Sequence, residues 1–200
     1  FNSLDSTDFI NELNNYEDWF LEEIDKNISE NINEKIIYKG KNEELETLIQ
    51  KHYKLDMFVQ KDYHEIKKDS LYNFLWIGRG YPYRWITIMK FDLNDINDST
   101  SHWQNYSKLL NKYMPSVSVS EYYQKKIYDD NGSIFKLQGL YEEDFSDTGG
   151  PFFSNIIKLN NNIGMYVSGF VNNPGKSKYF FLKELELIIE NIKIKRKENE

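Results

Sequence analysis

Only three arginines occur in this 200-residue chain, and two of them, Arg79 and Arg84, bracket a stretch that also holds Tyr81, Tyr83 and Trp85. Arginine offers a planar fork of donors, and tyrosine and tryptophan offer large rigid faces with one polar edge, so this mixture suits recognition. Arg79, Tyr81, Tyr83, Arg84 and Trp85 are therefore the candidate binding residues. The competing reading is that both arginines pair with local carboxylates in a hairpin loop, as weak surface pairs do. A second group is acidic: Glu142, Glu143 and Asp144 follow Tyr141. Carboxylates can hydrolyse a bond only when two of them converge at a fixed separation, which adjacent positions do not establish. A hydrolase using these acids is the alternative to a non-enzymatic binding or scaffolding domain.

Other chemistry is thinly supported. His52, His64 and His102 are scattered without the spacing of a zinc site, and the absence of cysteine removes disulfides, thiolate catalysis and Cys-based zinc binding within this sequence. Asp129-Asp130-Asn131-Gly132 opens like a calcium loop but lacks its later ligands and terminal Glu. Gly78-x-Gly80 is too short for a dinucleotide fingerprint, and Gly149-Gly150-Pro151 leads into a strand, where glycine conformational freedom and a proline at strand entry serve the backbone. No serine sits in a G-x-S-x-G elbow. No catalytic residue, metal ligand or cofactor is expected.

A net charge of −7 and a pI near 5.1 argue against a nucleic-acid surface, which needs clustered cations. The basic run Lys193, Lys195, Arg196, Lys197 is read as the complement of a helix end. No apolar run approaches the roughly 20 residues of a membrane span, and the first segment lacks the order of a signal peptide. Phe1 is not a natural start, so an upstream part is expected to be missing.

Periodicity supplies the elements that must position these residues. Phe9, Leu13, Tyr16, Phe20, Ile24 and Ile28 form one helical stripe, preceded by Asp5, Ser6 and Thr7 as cap oxygens; its end falls between Ile28 and Tyr38. Asn42 caps a second helix with Leu45, Leu48 and Ile49 inward. An edge strand and a turn are expected within Leu55–Ile66. Leu71–Ile77 and Trp85–Phe91, apolar on both faces, predict a hairpin at the sheet centre around the loop Gly78–Arg84. Trp103, Tyr106, Leu110 and Tyr113 define a middle helix stopped by Pro115. Tyr122–Tyr128 and Ile134–Tyr141 flank the Asn131-Gly132 turn. Two more strands follow, in which Gly164 and Gly169 suggest a bulge or a close approach by a helix or ligand. A last helix carries Phe181, Leu182, Leu185, Ile188, Ile189 and Ile192.

Gly139-Leu140-Tyr141, Gly149-Gly150-Pro151-Phe152-Phe153-Ser154, and Gly169-Phe170-Val171 with Pro174 resemble the signature of a bacterial family described as domain of unknown function 4837. Asn73–Ile77 and the ending Lys112-Tyr113-Met114-Pro115 fit it too. Tyr141, Gln138 and Thr148 depart from the tryptophan, arginine and methionine of that pattern. The resemblance covers what looks like the family's C-terminal two-thirds, and Gly139, Gly149, Gly150, Pro151, Gly169 and Pro174 are its structural motif positions. It implies exported envelope lipoproteins, periplasm-facing and held by a lipid-attached cysteine upstream, with no catalytic residue to carry over. An unidentified envelope protein or small ligand is the implied partner, with no nucleic acid and no membrane contact except through that anchor.

The expected architecture is α+β: a mainly antiparallel single sheet of about 5–7 strands with the C-terminal and middle helices packed on it, plus N-terminal helices. By analogy it is of the photosystem-subunit-P and Mog1 type. The expected division is a helical segment over 1–53, part of an upstream region, and an α+β domain over 54–200.

Overall fold

The computed structural model describes residue 10 and residues 16–96, 101–144 and 148–195. Helices α1 (Glu17–Tyr38) and α2 (Glu43–Tyr53) precede the short strand β1 (Leu55–Asp56), then β2 (His64–Lys68), β3 (Phe74–Arg79) and β4 (Tyr83–Asp92). Helix α3 (Ser101–Tyr113) leads into β5 (Val117–Tyr128), β6 (Ile134–Glu143), β7 (Thr148–Lys158) and β8 (Ile163–Asn172). Helix α4 (Tyr179–Glu190) and β9 (Lys193–Ile194) follow. Strands β2 to β8 form one antiparallel sheet in the order β2-β3-β4-β8-β7-β6-β5, and β1 pairs with β9. This is the α+β architecture that the hydrophobic periods imply.

Side chains alternate across a strand, so each central strand feeds two cores. Leu75, Ile77, Ile86, Ile88, Met165 and Val167 meet α1, α2 and α4 through Ile32, Ile36, Ile49 and Leu185. Phe74, Trp85, Met89, Phe91, Tyr166 and Phe170 meet α3 through Trp103, Tyr106, Leu110 and Tyr113. Asn42 caps α2, its Oδ1 accepting from Leu45 N at 3.1 Å. Gly132 takes φ +76° in the β5–β6 turn, with Asp129 Oδ1 accepting from Asn131 N and Ser133 N. Gly169 lets α4 approach: a Cβ there would lie 3.0 Å from Leu185 Cβ. The close-approach reading of that glycine therefore describes it.

Several boundaries differ from expectation, each for a local reason. The first strand of the hairpin starts at Phe74, because Tyr72 adopts φ 53° in a turn in which Asp69 Oδ1 accepts from Phe74 N; Leu71 is left exposed. On α1, Tyr16 and Ile24 face solvent while Ile32 and Ile36 are buried, so the inward stripe lies further along the helix. Phe9, Leu13 and the cap oxygens of Asp5, Ser6 and Thr7 lie outside the described residues. The strand before the Asn-Gly turn begins at Val117, and three extra residues between Val119 and Gln124 bulge it, a common device at an exposed sheet edge. Helix α4 stops at Glu190, short of Ile192, and Lys193 lies in β9 rather than at a helix end; Arg196 and Lys197 lie outside the described residues.

Candidate functional site

The β3–β4 hairpin sorts the candidate residues by strand parity. Both strands extend further than expected, leaving only Gly80–Pro82 as the connection, with a cis Tyr81–Pro82 bond. Arg79 stands directly opposite Arg84 in register, and both side chains join the face covered by α4. There they do not pair with local carboxylates alone. Arg84, 4% exposed, donates to Glu184 Oε2 from α4, and Arg79 reaches Glu184 Oε1 at 3.5 Å, about a hundred positions away in sequence. Arg79 also pairs with Asp62 and donates to Gln60 Oε1 at 2.8 Å, while Gln60 Nε2 donates to Glu184 Oε1 at 2.7 Å. The guanidinium of Arg84 lies 4.6 Å from the centre of the Phe181 ring. Both arginines thus belong to a buried charge cluster that ties the hairpin to α4; Arg79 also borders the aromatic groove, whereas Arg84 turns away from it.

The opposite parity does form a surface. Trp76, Tyr81, Tyr83 and Trp85 line an open groove of about 630 Å³ at the end of the sheet, with His64, Asn172 and Pro174 among its other walls. Tyr81 and Tyr83 are 56% and 45% exposed and meet edge to face with ring centres 5.8 Å apart. Trp85 is mostly buried, set against Trp76, Tyr141 and Phe170. Gly78 forms the floor between them: a Cβ there would fall 2.6 Å from Ile66 Cδ1 and 2.8 Å from Trp85 Cδ1. The polar edge is part-committed. Asn172 Nδ2 donates to Thr148 Oγ1 at 3.0 Å, and Tyr81 OH donates to Asn173 Oδ1 at 3.0 Å. Among the described residues, buried Asn172 Oδ1 and Trp76 Nε1 have no close hydrogen-bond partner, with the Tyr141 hydroxyl beside the Asn172 amide. A groove with broad ring faces and polar walls can hold a ligand that has apolar faces and hydrogen-bonding edges.

A family model described as domain of unknown function (DUF4837) matches residues 42–191. The chain belongs to this family. The matched range contains the whole groove and, apart from Lys39, the charged partners of Glu184. Among curated proteins no relative matches the sequence. Among solved structures, the Ran-binding protein Mog1p of Saccharomyces cerevisiae is 10% identical with a TM-score of 0.48, covering 70% of this chain and 90% of that one. A Bacteroides thetaiotaomicron protein is 14% identical with a TM-score of 0.41, covering 73% of this chain and 47% of that one. LpqN, described as involved in cell envelope biogenesis of Mycobacterium tuberculosis, is 13% identical with a TM-score of 0.39 over 71% of this chain and 83% of its own.

The motif glycines of this DUF4837 chain act through space rather than through unusual dihedrals. Neither Gly149 nor Gly150 has positive φ; a Cβ would lie 2.2 Å from Tyr141 O in the first case and 2.0 Å from Val171 O in the second. The expectation that they relax the backbone dihedrals is corrected to close packing of adjacent strands inside β7. Pro151 pairs with Leu140, and pairing with β8 starts only at Phe152. Gly139 lies under the Phe152 ring, and Pro174 lines the groove. The acidic segment diverges: Glu142 and Glu143 are consecutive on β6 and leave opposite faces, Glu142 exposed and Glu143 accepting from Thr148 Oγ1 at 3.1 Å. They and Asp144 border an open cavity of about 770 Å³ together with Lys178. Burial pushes the Tyr141 hydroxyl well above its ordinary pKa.

The histidines are dispersed. His52 stacks on Tyr72 with ring centres 3.5 Å apart, and His102 Nδ1 lies 3.0 Å from Tyr166 OH. Burial lowers the pKa of His102 below the usual imidazole value. Among the described residues, no three His, Asp or Glu side chains converge as a metal site. Sequence reasoning missed Glu184, Gln60 and Asn172. Glu184 falls on the apolar stripe of α4, and a charge on a helix's inward face is the one signal that could have marked it.

Proposed function

We propose that this is a binding domain without chemistry of its own, carried on the periplasmic side of a cell envelope by a lipid anchor upstream. The observation behind the binding reading is the groove of Trp76, Tyr81, Tyr83 and Trp85, which leaves two large aromatic faces in water. Exposed aromatics in a preformed groove with polar walls suit a small, largely uncharged ligand that stacks on the rings. The envelope setting rests on the family's resemblance to exported lipoproteins.

Two tryptophans in the wall provide the test. Titrating the chain with soluble cell-wall saccharide fragments should shift tryptophan emission, and Tyr83→Ala should abolish the shift while circular dichroism stays unchanged. A shift that survives Tyr81→Ala with Tyr83→Ala would remove the groove from consideration. For location, the full-length protein should incorporate radiolabelled palmitate and fractionate with membranes. Recovery unlabelled in the cytosol would overturn the anchored reading.

A further inference from the structure

A second opening lies on the other face of the sheet, over the charge cluster. It measures about 540 Å³ and sits between α1 and α4, with Ile32, Tyr38, Phe180 and Phe181 as apolar walls and Lys39, Arg84 and the Glu184 carboxylate at its charged end. The charges there do not cancel. Lys39, Arg79 and Arg84 all address the Glu184 carboxylate, and Asp62 supplies a second anion to Arg79 alone. Among the described residues, three cations thus meet two carboxylates, and the remaining wall residues Lys35 and Glu34 offset one another. The surplus is concentrated where the cavity is. Lys39 is the loosest partner, at 3.8 Å from Glu184 with its side chain 38% exposed. Arg84, whose side chain is 5% exposed and lines the cavity, keeps an Nε–H donor with no partner.

A surplus positive charge in a half-buried site is costly, and an orphan guanidinium donor adds to the cost. Desolvation by burial is the largest influence on Lys39 and lowers its pKa; Arg79 and Arg84 lower it as well, against Glu184 and Asp62. The rim meanwhile leaves Tyr38 and Phe180 largely in water. We infer that this cavity binds a small monoanion with an apolar body, its carboxylate meeting Lys39 and Arg84 and its hydrocarbon lying against Ile32, Phe180 and Phe181. The anion brings the cluster to neutrality, and charge-assisted bonds from a partly exposed Lys and a buried Arg are stronger than neutral ones. This site is separate from the aromatic groove, since Arg84 and Trp85 leave opposite faces of β4.

Isothermal titration calorimetry of the whole chain with sodium hexanoate and with 1-hexanol tests the inference. Hexanoate should bind at least about tenfold more tightly than the alcohol, as expected when one charge-assisted contact is worth about 1.4 kcal/mol. Lys39→Met should remove that difference with an unchanged melting temperature, because the side chain is partly exposed at a helix end. Phe180→Ala should weaken both ligands, and Tyr83→Ala in the groove should weaken neither. Equal affinity for acid and alcohol overturns the inference. So does hexanoate binding that ignores Lys39→Met, or an absence of hexanoate binding.

Discussion

The two faces of the sheet solve the same burial problem with different materials. Beneath α1, α2 and α4 the core is largely aliphatic, built from residues such as Ile49, Ile77, Ile86, Val167, Leu185 and Ile188. Beneath α3 it is aromatic: Phe74, Trp85, Phe91, Trp103, Tyr106, Phe152, Tyr166 and Phe170 stack and cross over one another. Three helices can lay many small side chains over a sheet, whereas one 13-residue helix spans roughly 20 Å and must fill its layer with large rings. That one helix also fails to reach the far end of the sheet. The aromatic layer continues past it as the groove, while the corresponding end of the aliphatic layer is occupied by Glu184 and the two arginines. Polar groups follow the same division: a charged cluster on one side, and on the other a buried hydroxyl chain from Tyr106 to Ser168 to Ser154, at 3.0 and 2.9 Å.

The largest expected effect tests burial on both faces. Burial raises the pKa of Tyr53 and Tyr63 on the aliphatic side and of Tyr106, Tyr141 and Tyr166 on the aromatic side. Above about pH 10 the unfolded chain releases these protons and the folded chain keeps them, so stability falls as pH rises from there and is unaffected below. By pH 11 each tyrosine contributes a loss of about 1.4 kcal/mol, on the order of 7 kcal/mol for the five, comparable with the whole stability of a domain. Urea midpoints at pH 9, 10 and 11 should collapse accordingly, and a constant midpoint would contradict the burial. Tyr63→Phe removes a hydroxyl with no hydrogen-bond partner, so it should cost little at pH 7 and recover about one-fifth of the alkaline loss.

Next in size is the charge cluster. Glu184→Ala leaves Arg84 buried against Phe181 without its carboxylate and should cost about 3–5 kcal/mol by urea denaturation. Arg84→Met combined with Glu184→Leu should cost less than Glu184→Ala alone, since removing both charges leaves neither one stranded. If the double change is the worse, the cluster is held by more than pairing. Smaller again is Gly150→Ala, which drives a Cβ into Val171 O and should cost about 1–3 kcal/mol, while Gly80→Ala, with open space around it, stays within about 0.5 kcal/mol.

The periods that build the sheet were legible because they are local. Trp103, Tyr106, Leu110 and Tyr113 announce α3, and Leu185, Ile188 and Ile189 announce α4, from spacing alone. The candidate site was legible only in part. A stretch that is rich in Tyr, Trp and Arg says that something is recognised, but in a strand each successive side chain changes face, and a one-residue error in where the loop ends reverses every assignment. Reading Gly78–Arg84 as a loop placed Arg79, Arg84 and the aromatics on one surface; strands that run to Arg79 and resume at Tyr83 divide them. Glu184 was out of reach because it meets Arg84 and Arg79 from 100 and 105 positions away in sequence, and Gln60 because it meets Glu184 from 124. The necessity of Gly150 is likewise set by a carbonyl on another strand.

The smallest stability effect separates function from packing within one wall. Trp85 and Tyr83 share a face of β4, two positions apart, and both line the groove. Trp85 is locked among Trp76, Tyr141 and Phe170, so Trp85→Ala should cost about 3–5 kcal/mol whether or not a ligand exists. Among the described residues Tyr83 meets only the ring of Tyr81, and it stands half in water, so Tyr83→Ala should leave the urea midpoint within about 0.5 kcal/mol of the parent. Any loss of ligand binding in Tyr83→Ala then reports on the groove itself. A Tyr83→Phe variant narrows it further: retention of binding assigns the contact to the ring face, and loss assigns it to the hydroxyl. Should Tyr83→Ala destabilise the chain as much as Trp85→Ala, the open end of the aromatic layer is a continuation of the core, and its exposed rings are serving the fold.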